Sequence, residues 1–158
     1  MPALFLLTIG IVEFGLIMFD YHRLGEAART GVREALIDDP IPVLTNLSGS
    51  DITCTGSGAS SVSCSGASVS SSASFSSVLA AMKGVVPTLQ ASNLRITYRD
   101  SGITDAAVLP DVITPAVTLE VINYRYTFVF LTYIPGVPSS ITLPSFASTR
   151  MVHTVVAG

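Results

Sequence analysis

The sequence predicts an α+β protein: a long N-terminal transmembrane helix that extends into an amphipathic stalk, and a small domain with one helix packed on an antiparallel sheet of about three strands. Three observations predict this class. Residues 1–19 are almost entirely apolar, residues 75–89 place apolar side chains at helical spacing, and residues 117–133 are rich in β-branched and aromatic residues. The first is typical of a membrane helix, the second of an amphipathic helix and the third of strands.

The anchor is predicted over residues 1–19, which carry one formal charge, Glu13. At ~1.5 Å per residue this run reaches ~28 Å, close to the hydrocarbon thickness of a bilayer. A secretory signal peptide would add a basic region and a small-residue cleavage site, and the residues around Phe19 do not fit one. A soluble helix would show a polar face. We therefore expect a single membrane span that contacts lipid, with the rest of the chain outside it.

Glu13 is the unusual residue of this span. A charge at the centre of a membrane helix costs roughly 3 kcal/mol, so such residues usually have a partner. One interpretation is a contact within the membrane, with a basic group, a backbone amide or another subunit's N-terminus. The other is a protonated or shallow carboxyl group.

Residues 20–39 are predicted to continue the helix as a stalk, because they contain no proline before Pro40 and carry a narrow apolar stripe. Leu24, Ala28 and Val32 lie on that stripe. Two interpretations remain open: a packing surface for other copies or subunits, or a helix folded back on its own domain.

Residues 40–74 form a loop in this prediction, because Ser, Ala and Gly dominate them. Cys54 and Cys64 lie within it, and in an exported protein they would most simply form a disulfide. Two cysteines with no histidine nearby in sequence do not make a zinc site.

Residues 75–158 contain the predicted α+β domain. A helix over 75–89 is expected, with Ser74 as its cap and Pro87 at its end. A strand is expected at 94–98, a loop at 103–116, and one bent strand or two joined strands at 117–133. Residues 141–143 and 146–156 are expected to supply a last strand. The aromatic residues at 124–133 favour core and edge packing over a ligand platform.

Composition and motifs exclude several function classes. The chain has 158 residues, of which 49% are hydrophobic and 12% charged, and its net charge is −3. Without a basic stripe it offers no site for nucleic acid. It contains no phosphate-binding loop, nucleophile elbow, zinc-protease motif or calcium loop. We therefore expect no enzymatic activity, no metal and no cofactor.

The first 36 residues resemble one known family. The apolar run from Met1, the segment from Gly10 to Gly15 (GIVEFG), and the later AAR and GVREA segments occur in the order and spacing found in TadE-like proteins. These are pseudopilins of tight-adherence (Flp-type) pilus systems. Their short basic leader and prepilin-peptidase site have no counterpart before Met1, so Glu13 is not assigned the role of the glutamate that pilin-like assembly uses after cleavage.

The resemblance implies a non-enzymatic pseudopilin in the bacterial inner membrane, acting in pilus assembly by helix packing with other membrane or pilus subunits. Its C-terminal domain would face the periplasm, although three arginines beyond the span would by themselves favour the cytoplasm. The alternatives are an accessory subunit of another inner-membrane complex, such as an energy-converting or photosynthetic one, and a soluble periplasmic module cleaved near Asp20. The residues expected to pack in the membrane or against partners are Gly10, Glu13, Phe14, Gly15, Leu24, Ala28 and Val32.

Overall fold

The computed structural model describes residues 2–44, 47, 50–58, 61–101 and 115–151. Its helices are α1 (Pro2–Ile37) and α2 (Ser72–Val85). Its strands are β1 (Ile52–Ser57), β2 (Ser61–Ser65), β3 (Leu94–Asp100), β4 (Pro115–Val121), β5 (Arg125–Thr127), β6 (Ser140–Thr142) and β7 (Phe146–Met151). Most of the loop predicted at 103–116 and the end of the last predicted strand lie outside the described residues.

The long N-terminal helix is continuous, as the sequence predicts. It runs for 36 residues from the apolar segment into the amphipathic one, across Gly10, Gly15, Gly25 and Gly31. Pro40 lies just beyond its end, where the pre-proline restriction disfavours further helix.

The main sheet has five antiparallel strands in the order β2-β1-β3-β4-β7, so the expectation of about three was wrong. The additional strands are β1 and β2, which come from the segment predicted to be a loop. Their composition is poor in apolar residues, but β1 pairs along its length with β3, for example Cys54 with Ile96. This non-local pairing stabilises strands that local propensity does not favour.

The aromatic-rich segment at 117–133 forms two separate strands. After β4 the chain turns at Asn123, whose φ is 52°, a left-handed conformation that asparagine tolerates better than most residues. The chain then leaves the main sheet, and β5 pairs with β6 in a two-stranded ribbon. Residues 128–139 connect these two strands and are called the hairpin loop below.

The N-cap of helix α2 lies three residues earlier than predicted. Ser71, in extended conformation, accepts a hydrogen bond from the Ser74 amide, and the helix ends at Val85, before Pro87. Ser74 was therefore wrong as the cap, since it lies inside the first turn, where its side chain is buried.

Both helices pack on the same face of the main sheet, where the core lies. Helix α1 contacts α2, β4 and β7, and two glycines allow this approach. A Cβ at Gly31 would lie 2.7 Å from Met82 and 2.8 Å from Leu119, and one at Gly25 would lie 2.9 Å from Phe146. The alternating apolar side chains of β3 and β4 face this layer and are buried.

Candidate membrane and assembly site

The N-terminal part of α1 projects beyond the domain as an exposed apolar rod. Nearly every large side chain of residues 4–19 is exposed, from Leu4 at 68% to Phe19 at 61%. Helix α1 is long and apolar enough to cross a membrane, and its most apolar 18-residue window has a mean hydropathy of 1.9. Exposure of this many large apolar side chains in water is unfavourable, and a bilayer or a partner helix would remove it. We call residues 4–19 the exposed segment.

The C-terminal part of α1 is embedded in the protein's own core. Leu24, Ala28 and Val32 are at most 1% exposed, because α2 and the sheet cover them. They are therefore not available to other subunits, and the second of the two interpretations, a helix folded on its own domain, describes this half of α1. The sequence could not separate the two because either contact needs the same apolar stripe.

Glu13 is the one buried side chain within the exposed segment, at 1% exposure. Its Oε1 accepts hydrogen bonds from the Val129 amide at 2.8 Å and from the Tyr126 hydroxyl at 3.2 Å. Its Oε2 accepts one from the Phe130 amide at 2.8 Å. The sequence left three kinds of partner open for Glu13: a basic group, a backbone amide or another subunit's N-terminus. The structure provides backbone amides, and they belong to the same chain.

The hairpin loop supplies these amides from Val129 and Phe130, the two residues directly before a short 3₁₀ turn, Leu131–Tyr133. The Glu13 carboxylate satisfies both N–H groups, which would otherwise need another acceptor. Glu13 thus fixes the tip of the β5–β6 hairpin against the apolar part of α1, and the tip satisfies the hydrogen-bonding capacity of Glu13.

Tyr126 completes this contact from strand β5. Burial, and next the negative charge of Glu13, raise the pKa of Tyr126 to about 12, so its hydroxyl stays protonated and donates to Glu13. The Tyr126 ring also packs edge-to-face on Phe128, with ring centroids 6.0 Å apart. Of the five aromatic residues expected to serve packing, Tyr124, Tyr126 and Phe128 do so, whereas Phe130 and Tyr133 are 45% and 84% exposed.

The seven predicted packing residues therefore divide into three groups. Gly10, Phe14 and Gly15 lie on the exposed segment, and a Cβ at either glycine would meet nothing within 4 Å. Glu13 binds the hairpin loop, and the remaining three lie in the core.

The partners of Glu13 in the hairpin loop were missed by sequence reasoning. One signal points towards them: residues 126–149 contain no Asp, Glu, Lys, Arg or His, an unusually long uncharged run in the domain. A second signal is the helical phase of Glu13, which precedes Ile17, Tyr21 and Leu24 at steps of four, four and three residues on the side of α1 that faces the domain.

The disulfide Cys54–Cys64 is present, as predicted. The two residues face each other across the β1–β2 pair, with their Cα atoms 4.0 Å apart. Cys54 is fully buried in the core. Its position ties the edge strand β2 to the rest of the sheet.

The outer face of the sheet is polar and forms a shallow groove. Two ion pairs lie on this face. Arg99 donates to the Asp51 carboxylate from Nε and Nη2 at 2.6–3.1 Å, and Arg95 Nη1 lies 3.3 Å from Glu120. The hydrogen bond from Arg99 holds the pKa of Asp51 below its ordinary value. Within the part of the chain that the structure describes, no group of three or more His, Cys, Asp or Glu side chains lies together as a metal site would need.

Comparison with known proteins gives one match. The family model of TadE-like protein matches residues 1–33, which cover the exposed segment and most of the rest of α1. No curated protein and no solved structure matches the chain. The comparisons therefore lend no support to a subunit of another membrane complex. The match associates this chain with membrane proteins related to Tad pilus systems, and over residues 1–33 its sequence is TadE-like.

Proposed function

We propose that this protein is a non-enzymatic, membrane-anchored pseudopilin that acts in pilus assembly by packing its N-terminal helix against partner subunits. The observation that carries the proposal is the exposed segment, which lies within the TadE-like match and presents apolar side chains that its own domain does not cover. A helix of this kind functions by association, since nothing in its exposed segment performs chemistry.

The packing surface of this proposal is the side of the exposed segment that faces away from the domain. At about 100° per residue, Gly15 lies about 200° around the helix from Glu13, and Ile11 lies beside it one turn earlier. Small residues allow membrane helices to approach closely, and the space around Gly15 is open. Phe14 lies about 100° from Gly15 and borders this side, whereas Gly10 lies about 60° from Glu13, on the side that faces the domain.

The location in this proposal is the inner membrane, with the folded domain in the periplasm. The Cys54–Cys64 disulfide supports that orientation, because disulfides persist in the periplasm and are rare in the cytosol. Arg23, Arg29 and Arg33 favour the opposite orientation by the positive-inside rule, so the periplasmic assignment rests on the disulfide and on the family resemblance.

Two genetic experiments test the proposal. Deletion of the gene is expected to abolish surface pili while the amount of major pilin stays the same, and normal piliation in the deletion strain would disprove the pilus role. Complementation with Gly15→Leu is then expected to restore the protein in the membrane but not the pili.

The matched control is Gly84→Leu, the same substitution at a helical glycine of α2 whose surroundings are also open. It should complement fully. If Gly15→Leu also complements fully, partners do not pack on this side of the helix, and the packing surface is wrong even where the pilus role holds.

A further inference from the structure

The exposed segment is not the only apolar surface that the structure leaves uncovered. The hairpin loop carries exposed apolar side chains at Val129, Phe130, Tyr133 and Val137, and Ile141 follows on β6. These residues lie beside the membrane helix, because Val129 and Phe130 bind Glu13 there. The loop and the exposed segment therefore form one continuous apolar surface.

We propose that the hairpin loop is a second membrane contact, which inserts into the headgroup region of the same bilayer that holds α1. The proposal rests on the proposed anchoring of α1. It differs from it in assigning a lipid-binding role to the folded domain, which sequence reasoning placed wholly outside the lipid.

The depth of the loop supports this assignment. Glu13 precedes Asp20, the next charged residue of α1, by seven residues, which is about 10 Å along the helix axis. The loop thus reaches well past the polar end of the apolar segment. Each of the two headgroup regions occupies about 5–7 Å of a bilayer's thickness, so a loop held at Glu13 reaches through this region when residues 1–19 are in lipid.

The backbone of the loop is suited to a medium with little water, where each unpaired N–H group costs several kcal/mol. Pro135 and Pro138 have no N–H group. Six amides of the loop have acceptors: the amide of Phe128 donates to Ser139, those of Val129 and Phe130 to Glu13, and those of Tyr133, Ile134 and Val137 to carbonyl groups three residues earlier. These six hydrogen bonds, out of the ten N–H groups of the loop, lower the cost of placing its backbone where water is scarce.

The side chains agree with the same environment. Residues 126–149 carry no charge, so insertion of the loop desolvates no ionic group. Tyr133, at 84% exposure, has the amphipathic ring that is enriched at membrane–water interfaces. The charge that does lie at this depth, Glu13, is already bound by the loop itself.

Tryptophan fluorescence provides the test, because the chain contains no tryptophan and each single variant reports on one position. The full-length protein is reconstituted into vesicles of phosphatidylethanolamine and phosphatidylglycerol, with and without lipids brominated on the acyl chains. The reporters are Tyr133→Trp and Val129→Trp. The matched control is Val69→Trp, at an exposed valine. Val69 pairs with Pro42, which follows the C-terminal end of α1, and that end lies about 36 Å along the helix from Glu13. The control position is therefore far from the hairpin loop.

Both reporters are expected to show blue-shifted emission, and brominated lipid is expected to quench it. The emission of Val69→Trp should be red-shifted and unaffected by brominated lipid, and aqueous iodide should quench it. Emission from both reporters that behaves like the control would overturn the proposal. So would emission shielded from brominated lipid and iodide alike, which would mean that another protein copy covers the loop.

Leu7→Trp separates this proposal from the anchoring on which it rests, since Leu7 lies on the exposed segment. If brominated lipid quenches Leu7→Trp but neither loop reporter, α1 is in the membrane and the loop proposal alone fails. If it does not quench Leu7→Trp either, the anchoring itself is wrong.

Discussion

Replacement of Glu13 by alanine is the most direct perturbation of the site. It removes the acceptor of two backbone amides, those of Val129 and Phe130, and of the Tyr126 hydroxyl. A buried donor left without a partner costs about 1–3 kcal/mol. The contacts of both amides are only partly buried, so we expect the lower part of the range summed over the two amides, about 2–4 kcal/mol of local stability.

Hydrogen exchange measures this loss directly at the two amides. A destabilisation of 2 kcal/mol corresponds to about 30-fold faster exchange, since about 1.4 kcal/mol is a factor of ten. Exchange is followed by mass spectrometry on peptides covering residues 126–138 of the full-length protein in detergent micelles. Glu13→Gln keeps one side-chain oxygen as an acceptor and should lose about half as much free energy, giving roughly fivefold faster exchange.

Glu26→Ala is the matched control on the same helix. Glu26 is exposed and pairs with Arg29, at 3.5 Å, and not with the hairpin loop, so its removal should leave exchange of the loop unchanged. If Glu13→Ala also leaves exchange at 129 and 130 unchanged, Glu13 does not hold the loop, and the argument for its position against α1 is wrong.

Two further predictions concern the packing that holds the domain on α1. Gly31→Leu should lower the free energy of unfolding by about 1–3 kcal/mol, because even a Cβ at this position would lie 2.7 Å from Met82. Gly84→Leu, at an open position, should not lower it. Denaturant titration followed by circular dichroism measures both variants, and equal unfolding midpoints would contradict the close packing at Gly31. Replacement of both Cys54 and Cys64 by alanine should lower the free energy of unfolding by up to about 3 kcal/mol, and reduction of the wild-type protein should reproduce most of this loss. If the unfolding midpoint changes in neither experiment, the disulfide adds no stability.

The parts of the fold that depend on local pattern were predictable. The apolar run of residues 1–19 and the helical spacing at 75–89 are strong periodic signals, and both correspond to helices of the structure. The β1–β2 hairpin has no such signal. Its residues are mostly Ser, Thr and Gly, and β1 forms a strand because it pairs with β3, about 40 residues later.

The contact of Glu13 was beyond sequence reasoning for a related reason. Its hydrogen-bond partners follow it by 113 to 117 residues, and no short-range pattern records such a separation. A charged residue within an apolar helix predicts that some partner exists, but its identity depends on where the β5–β6 hairpin ends. That position in turn depends on how the sheet packs on α1, through contacts such as Phe146 on Tyr21 and Gly25.

The location of this contact limits how an assembly can use α1. The domain covers the side of the helix that carries Leu24, and the hairpin loop extends that cover down to Glu13. A partner helix that approached from the same side would have to displace the loop and leave the Glu13 carboxylate unpaired, at a cost of several kcal/mol. The opposite side, around Gly15, offers apolar surface without that cost. In the proposed pseudopilin, the Glu13 carboxylate would therefore determine which side of α1 other subunits can contact. It holds the hairpin loop against one side of the helix and leaves the opposite side open.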